Sequence, residues 1–147
     1  MPEYRKILVP IDGSVNSARA VKHAGYLAEK CGAEISVLHV VNLFSKVAAF
    51  GDVSAGVYIP DKVVDDIKEA GNSVINEALS KLPAGVVAEG FIEVGSPTEV
   101  IVNFCTDKGF DLIVMGSRGL GIIKEFIMGS VSSSVLYYAS CPVMVVK

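Results

Sequence analysis

Short apolar runs and longer stretches of helical periodicity alternate along this chain. Residues 7–11 form an apolar run that ends at Asp12, and apolar residues then recur at helical spacing until Gly32. Residues 35–41 form a second run that is rich in β-branched residues and apolar on both faces, as a central parallel strand requires. This order predicts a strand, a helix and a second strand.

The hydrophobic pattern changes twice in the middle of the chain. The stretch from Leu43 to Ile59 shows no sustained period and is longer than most connections in compact domains, so we predict a mobile loop there. After Pro60, apolar positions trace one face of a long helix that ends at Pro83. Residues 86–94 then alternate between apolar and polar positions, which predicts a half-solvated strand at a sheet edge.

The last third continues the alternation of helices and strands. Ser96, Pro97 and Glu99 form a capping box with proline at the first helical position, and they predict a helix that stops before Gly109. The remaining predicted elements are a strand at 112–115, a helix at 130–139 and a strand at 142–146. The whole order predicts a doubly wound α/β fold with a parallel sheet, because parallel strands need crossover connections and helices supply them.

Composition and charge narrow the class of protein. The 147 residues fit one domain spanning 1–147, and no apolar run reaches the roughly 20 residues of a membrane-spanning helix. The net charge of −3, without a basic cluster, argues against binding to nucleic acid or to an anionic membrane. The first residues lack the apolar region of a signal peptide, so we expect a cytoplasmic protein. We expect its three cysteines to be reduced and to fill small buried spaces: Cys31, Cys105 and Cys141.

A glycine-bearing loop follows the strand at 112–115. Gly116 and Gly119 open this loop, which returns after nine intervening residues to Gly129 and Ser130 at the start of a helix. Glycines let backbone N–H groups approach an anion, and a helix N-terminus adds unpaired donors, with the Ser130 and Ser132 hydroxyls beside them. A triphosphate would suit this lining. An ordinary connection with turn glycines and a serine cap explains the same residues.

Asp12 closes the first strand directly before a Gly-Ser turn. It could cap the first helix, since aspartate and serine are both favoured there. Alternatively, its carboxylate accepts hydrogen bonds from a ribose or helps to hold a divalent cation beside phosphates. Ser14 is available as the cap, which would leave Asp12 for a ligand. Ligands of doubly wound sheets bind beyond the carboxyl ends of the strands, where Asp12 lies.

Other familiar signatures are missing from the sequence. It contains no GxxxxGK[ST] loop, and its first strand-to-helix turn lacks GxGxxG, which disfavours a P-loop NTPase or a typical dehydrogenase. GxSxG is also absent. His39 lies in an apolar strand and His23 on the first helix, where core packing and surface exposure explain them better than catalysis does.

Six segments spread over the chain together resemble the universal stress protein family. They are KILVPIDGS at 6–14, LHVV at 38–41, GSP at 95–97, DLIVMGSRG at 111–119, GSVS at 129–132 and CPVMVV at 141–146. The most specific feature is the pattern of a glycine, two residues, a glycine, nine residues and Gly-Ser. This chain satisfies it at Gly116, Gly119, Gly129 and Ser130. The pattern marks the ATP-binding branch of that family.

The resemblance implies a Rossmann-like sheet of five parallel strands in the order 3-2-1-4-5, with ATP at the carboxyl ends of strands one and four. Carried onto this sequence, Pro10 and Asp12 would flank the ribose, Val40 would contact adenine through its backbone, and Asp12 would help to hold Mg²⁺ or Mn²⁺. The residues implied to line the phosphates are Gly116, Arg118, Gly119, Gly129, Ser130, Val131 and Ser132. Arg118 stands where members of the family vary.

The function implied is that of an ATP-binding stress-response protein acting as a nucleotide-dependent switch or sensor, without an assigned catalytic residue. One alternative is a slow ATPase or phosphotransferase using the same pocket, which the lack of an apparent general base disfavours. Another is a nucleotide-free dimer that regulates partners by contact. The final strand is apolar on both faces and would be an open sheet edge, which predicts a homodimer built through it.

Overall fold

One parallel sheet of five strands organises the protein. A computed structural model describes residues 2–43, 59–119 and 128–147. The elements are β1 (Lys6–Ile11), α1 (Val15–Cys31), β2 (Glu34–Val41), α2 (Asp61–Ser80), β3 (Ala88–Val94), α3 (Pro97–Lys108), β4 (Leu112–Gly116), α4 (Ser130–Tyr138) and β5 (Val143–Val146). The strand order β3-β2-β1-β4-β5 confirms the predicted doubly wound fold. The loop predicted from Leu43 to Ile59 lies outside the described residues, except at its two ends.

Alternate residues of β1 face two separate cores. Ile7 and Val9 are fully buried in the core that β1 shares with α1 and α2. Leu8 is fully buried in the other core, against α3 and α4. Because side chains of a strand alternate between faces, a strand covered on both sides must be apolar throughout. This requirement explains the unbroken apolar run at 7–11.

The strand order reverses between β1 and β4. These strands are parallel neighbours, with Ile7 opposite Leu112, whereas the chain leaves β1 for β2 on its other side. Connections that depart in opposite directions leave a crevice at the carboxyl ends of the two strands. The fold therefore opens its natural ligand site beside Asp12 and the loop that follows Gly116.

The ends of two helices correct the sequence predictions. Ser96 precedes α3 without a side-chain hydrogen bond, so the predicted capping box is wrong, although Pro97 is the first helical residue. The second helix ends at Ser80 instead of reaching Pro83, because the chain tightens at Lys81 and Leu82, whose N–H groups donate to Ala78 O and Leu79 O at 3.2 Å. Gly109 ends α3 in the left-handed conformation, with φ of 66°, as its position predicted.

Strands β3 and β5 form the two edges of the sheet. The prediction of a half-solvated edge strand is confirmed for β3, where Glu89 and Glu93 are exposed. Between them, half-buried Phe91 packs edge-on against Phe104 with ring centroids 5.2 Å apart. The prediction that every cysteine is buried is wrong for Cys31, which is exposed at the end of α1. Within the described ranges, no helix combines the length and the apolar character needed to cross a membrane.

Candidate functional site

Two polar side chains, Ser14 and Asp12, form separate hydrogen bonds in the turn after β1. Ser14 Oγ accepts a hydrogen bond from Ser17 N at 3.2 Å, so Ser14 is the cap of α1. One carboxylate oxygen of Asp12, Oδ1, accepts from Ser14 N at 2.9 Å and fixes the turn. Asp12 is half-buried, and its second oxygen points away from the turn toward the loop after β4. The carboxylate is thus oriented by the fold while one of its oxygens faces the crevice.

Gly119 lies directly against that second oxygen. A β-carbon at this position would overlap Asp12 Oδ2, and no other described residue would crowd it. Glycine therefore lets the loop backbone approach the carboxylate without displacing it. The contact brings together the two segments that the sequence analysis singled out independently.

Gly116 serves the packing of the fold. A β-carbon here would lie 2.8 Å from the carbonyl carbon of Asn16 and 3.0 Å from Ser17 N, both in the first turn of α1. Such distances are too short for real contacts, so only glycine lets the end of β4 pass this helix. Gly116 thereby sets the position of α1 and of the Asp12 turn, whether or not a ligand is present.

Gly129 holds the far end of the loop against its beginning. Its N–H donates to the carbonyl oxygen of Ser117 at 2.7 Å. A β-carbon at Gly129 would come within 3.2 Å of that same oxygen and 3.5 Å of Arg118 Cα. The φ angle of Gly129 is −62°, which any residue can adopt, so close approach explains this glycine and backbone strain does not.

Ser117 joins three elements around the site, and the sequence analysis missed it. Its N–H donates to Val146 O at 2.7 Å, and its carbonyl accepts from Gly129 N and from Ser132 Oγ, each at 2.7 Å. Its own hydroxyl accepts from Asn16 Nδ2 at 3.1 Å. Buried Ser117 therefore links β5, α4 and the first turn of α1. The only sequence feature that could have indicated Ser117 is its position between Gly116 and Gly119 of the glycine pattern.

The start of α4 carries the other predicted phosphate ligands. Ser130 is exposed and Val131 is half-buried, whereas Ser132 is 2% exposed and its hydroxyl donates within the protein. The N-cap residue of this helix is Gly129, which has no side chain to cap it. The first N–H groups of a helix have no partner within it, so those of α4 are donors for an anion.

The residues predicted to contact ribose and adenine line the adjoining strands. Pro10 is buried in β1, one residue before the strand ends. His39 pairs with Ile11 across the sheet, which places Val40 level with Asp12. His39 Nδ1 also lies 2.9 Å from Ile11 O, and this hydrogen bond ties the carboxyl ends of β1 and β2 together. The structure thus brings Val40, Pro10 and Asp12 to the same edge of the sheet.

The donor set at this site suits an anion that shares a cation with Asp12. No group of three or more histidine, cysteine, aspartate or glutamate side chains is placed to hold a metal in the part of the chain that the structure describes. Mg²⁺ is commonly held by one or two carboxylates together with the phosphates of a substrate. Asp12, with one oxygen facing the crevice, therefore fits a cation that arrives with phosphates.

A separate cavity of about 250 Å³ lies at the opposite end of the sheet. It is lined by Lys6, Glu34, Ser36, Glu89, Phe91, Lys108 and Phe110. Its two ammonium groups already lie over aromatic rings, with Lys6 Nζ 4.9 Å from the Phe110 centroid and Lys108 Nζ 5.3 Å from that of Phe104. Because ligands of this fold bind at the carboxyl ends of the strands, we assign the candidate site to the crevice beside Asp12.

Comparison with known proteins gives a consistent result. A sequence profile described as the universal stress protein family matches residues 3–147. The chain is 38% identical to the universal stress protein YxiE of Bacillus subtilis, over 98% of this chain and 99% of YxiE. The solved structure of MJ0577 from Methanocaldococcus jannaschii is similar with a TM-score of 0.74 and 32% identity, covering 98% of this chain and 96% of that one. A universal stress protein solved in complex with cAMP is similar with a TM-score of 0.71 and 27% identity, covering 98% and 97%.

Proposed function

This chain belongs to the universal stress protein family, and we propose that it binds ATP in the crevice between β1 and β4 and acts as a nucleotide-dependent switch or sensor. The observation that carries the proposal is the approach of Gly119 to the Asp12 carboxylate at the reversal of strand order. A relative in complex with cAMP supports an adenine nucleotide as the ligand class.

Each part of the nucleotide would have a partner of suitable chemistry. Pro10 and Asp12 would flank the ribose, whose hydroxyls donate to a carboxylate. The backbone of Val40 would contact adenine. The phosphates would lie between the glycine loop and the start of α4. The backbone N–H groups of Ser130, Val131 and Ser132 would donate to them, because Gly129 N and the Ser132 hydroxyl already donate to Ser117 O. The full lining would be Gly116, Arg118, Gly119, Gly129, Ser130, Val131 and Ser132. Asp12 would hold Mg²⁺ or Mn²⁺ with those phosphates, and the cation would offset their charge.

The Asp12→Asn variant tests the metal-linked part of this proposal. Asparagine keeps an oxygen that can accept from Ser14 N, so the turn should survive while the charge is lost. We expect the ATP affinity measured by calorimetric titration in Mg²⁺ to fall by roughly 10- to 100-fold, since contacts to charged groups contribute about 1.5–3 kcal/mol. In EDTA the difference between the two proteins should shrink to the part that comes from the ribose contact.

Asp107→Asn, which changes an exposed carboxylate on α3, is the matched control and should bind like the parent protein. Equal affinity of Asp12→Asn and the parent in Mg²⁺ would show that the cation lies elsewhere. Turnover measured on the same proteins separates the switch from an efficient ATPase or phosphotransferase. We expect turnover well below the usual enzyme range of about 1–10³ per second, and a turnover inside that range that Asp12→Asn abolishes would overturn the switch proposal.

We also propose that two copies pair through β5. This edge strand exposes 37% of Met144, and neighbouring α4 exposes 50% of Leu136 and 81% of Tyr137. Apolar side chains at an open edge favour pairing with another strand, and a twofold axis closes such pairing without further growth. The proposed homodimer would thereby cover both the edge and the exposed face of α4.

The Val145→Lys variant should be monomeric, because a charge in the paired strand would be desolvated at the interface. Light scattering after size-exclusion chromatography measures this directly. Val94→Lys is the matched control at the opposite edge, where Val94 is 53% exposed on β3, and it should remain dimeric. A monomeric parent protein, or a dimer lost only in Val94→Lys, would rule out the β5 interface.

A further inference from the structure

Two cysteine side chains are in contact on the face of the sheet covered by α3 and α4. Cys105 Sγ lies 3.2 Å from Cys141 Sγ, and Cys105 is 1% exposed on α3 whereas Cys141 is half-buried just before β5. The neighbouring residues Thr106 and Ser140 hold the same two segments together, since Thr106 Oγ1 lies 3.2 Å from Ser140 Oγ. The sulfur atoms thus need to approach by only about 1 Å to reach the 2.05 Å bond length of a disulfide.

We propose that Cys105 and Cys141 are a redox-modification site that closes an intramolecular disulfide when the protein meets a hydroperoxide. Cys141, the more accessible of the two, reacts first. Its thiolate attacks one peroxide oxygen, the O–O bond breaks, and the leaving hydroxide takes up the thiol proton to form water. Cys105 Sγ then attacks the sulfenic sulfur of Cys141, the S–O bond breaks as the S–S bond forms, and a second water leaves with the Cys105 proton.

The surroundings of Cys141 set the conditions for the first step. Burial, followed by the hydrogen bond and charge of Cys105 and then the charge of Asp111, raises the pKa of Cys141 to about 12. The Asp111 carboxylate is itself fixed by Lys6 N at 2.8 Å and Arg5 N at 2.9 Å. Since the thiolate is the nucleophile, oxidation should be slow at neutral pH and should accelerate as the pH rises. The disulfide would therefore form during prolonged exposure to oxidant and would not form during brief exposure.

The bond would enclose the second half of the candidate site. Cys105 and Cys141 are 36 positions apart, and the segment between them contains β4, the motif glycines and α4. Pro142, next to Cys141, accepts a hydrogen bond from Ile113 N at 3.0 Å, so the bond would also fasten the entry to β5. Closing a loop of this length restricts the unfolded chain and should raise Tm by roughly 10 °C.

The experiment treats the reduced full-length protein with hydrogen peroxide at about pH 7, 8 and 9 and measures the intact mass. We expect a loss of two hydrogens per chain without doubling of the mass, a rate that rises with pH, and a higher Tm that dithiothreitol reverses. Peptide mapping should join Cys105 to Cys141. Cys31→Ser, which removes the exposed thiol, should behave like the parent protein, whereas Cys141→Ser should lose the reaction.

Cys105→Ala leaves Cys141 without a partner, and it should gain oxygen instead of losing hydrogen. Even where a variant fails to fold, peptide mapping of the oxidised parent protein shows whether Cys105 and Cys141 are joined. Peptide maps that leave Cys105 and Cys141 reduced while only Cys31 reacts, gain of two or three oxygens at Cys141 in the parent, or an unchanged mass at about pH 9 would each overturn the proposal.

Discussion

Replacing Gly119 with alanine should lower ATP affinity by about 100-fold, a loss of roughly 3 kcal/mol, while leaving the fold intact. The added methyl group would overlap Asp12 Oδ2, so the carboxylate must swing away from the position in which the turn holds it. That oxygen ends a half-buried side chain and can move, which limits the change in the free energy of unfolding to about 1 kcal/mol. Calorimetric titration and urea denaturation measure the two effects.

A double-mutant cycle with Asp12→Asn shows whether Gly119 acts through the carboxylate. Residues in contact give non-additive effects, so the second substitution should cost much less affinity in the presence of the first. Fully additive losses would mean that Gly119 contacts the nucleotide independently of Asp12. An unchanged affinity of Gly119→Ala would place the phosphates away from this loop.

The strands and helices were predictable from local pattern because burial on one or both faces dictates it. Residues 7–11 are apolar at every position since both faces of β1 are covered, and residues 61–80 show one apolar stripe since α2 is covered on one side. Which strands are neighbours is a long-range property that periodicity does not encode. The order 3-2-1-4-5 was accessible only through the resemblance to a family.

Helix ends were less predictable because a motif specifies residue types and not backbone angles. Ser14 and Ser96 both precede helices, with φ of −72° and −75°. Their ψ angles differ, at 162° and 124°, and only the Ser14 hydroxyl meets a backbone N–H of its helix. A difference of this size in a single dihedral angle separates a capped helix from an uncapped one.

The candidate site also combines residues that local sequence pattern predicts with contacts that it does not. Asp12, Gly119 and Gly129 stood out because each follows a strand or opens a helix, and these positions are recognisable along the chain. The hydrogen bond from Asn16 to Ser117 joins residues 101 positions apart. No local pattern marks such a pair, although it ties α1 to the loop.

The Gly116→Ala variant should lose stability first and binding only as a consequence. Its methyl group would meet the backbone of α1, at 2.8 Å from the Asn16 carbonyl carbon, and backbone cannot rotate aside as the Asp12 carboxylate can. Overpacking of this kind costs about 1–3 kcal/mol, so Tm should fall by roughly 2–12 °C. Urea denaturation of Gly116→Ala beside Gly119→Ala measures the contrast between two glycines of one motif. If Gly116→Ala keeps the parent's stability and loses ATP binding, Gly116 contacts the ligand directly, and its packing against α1 does not explain the glycine.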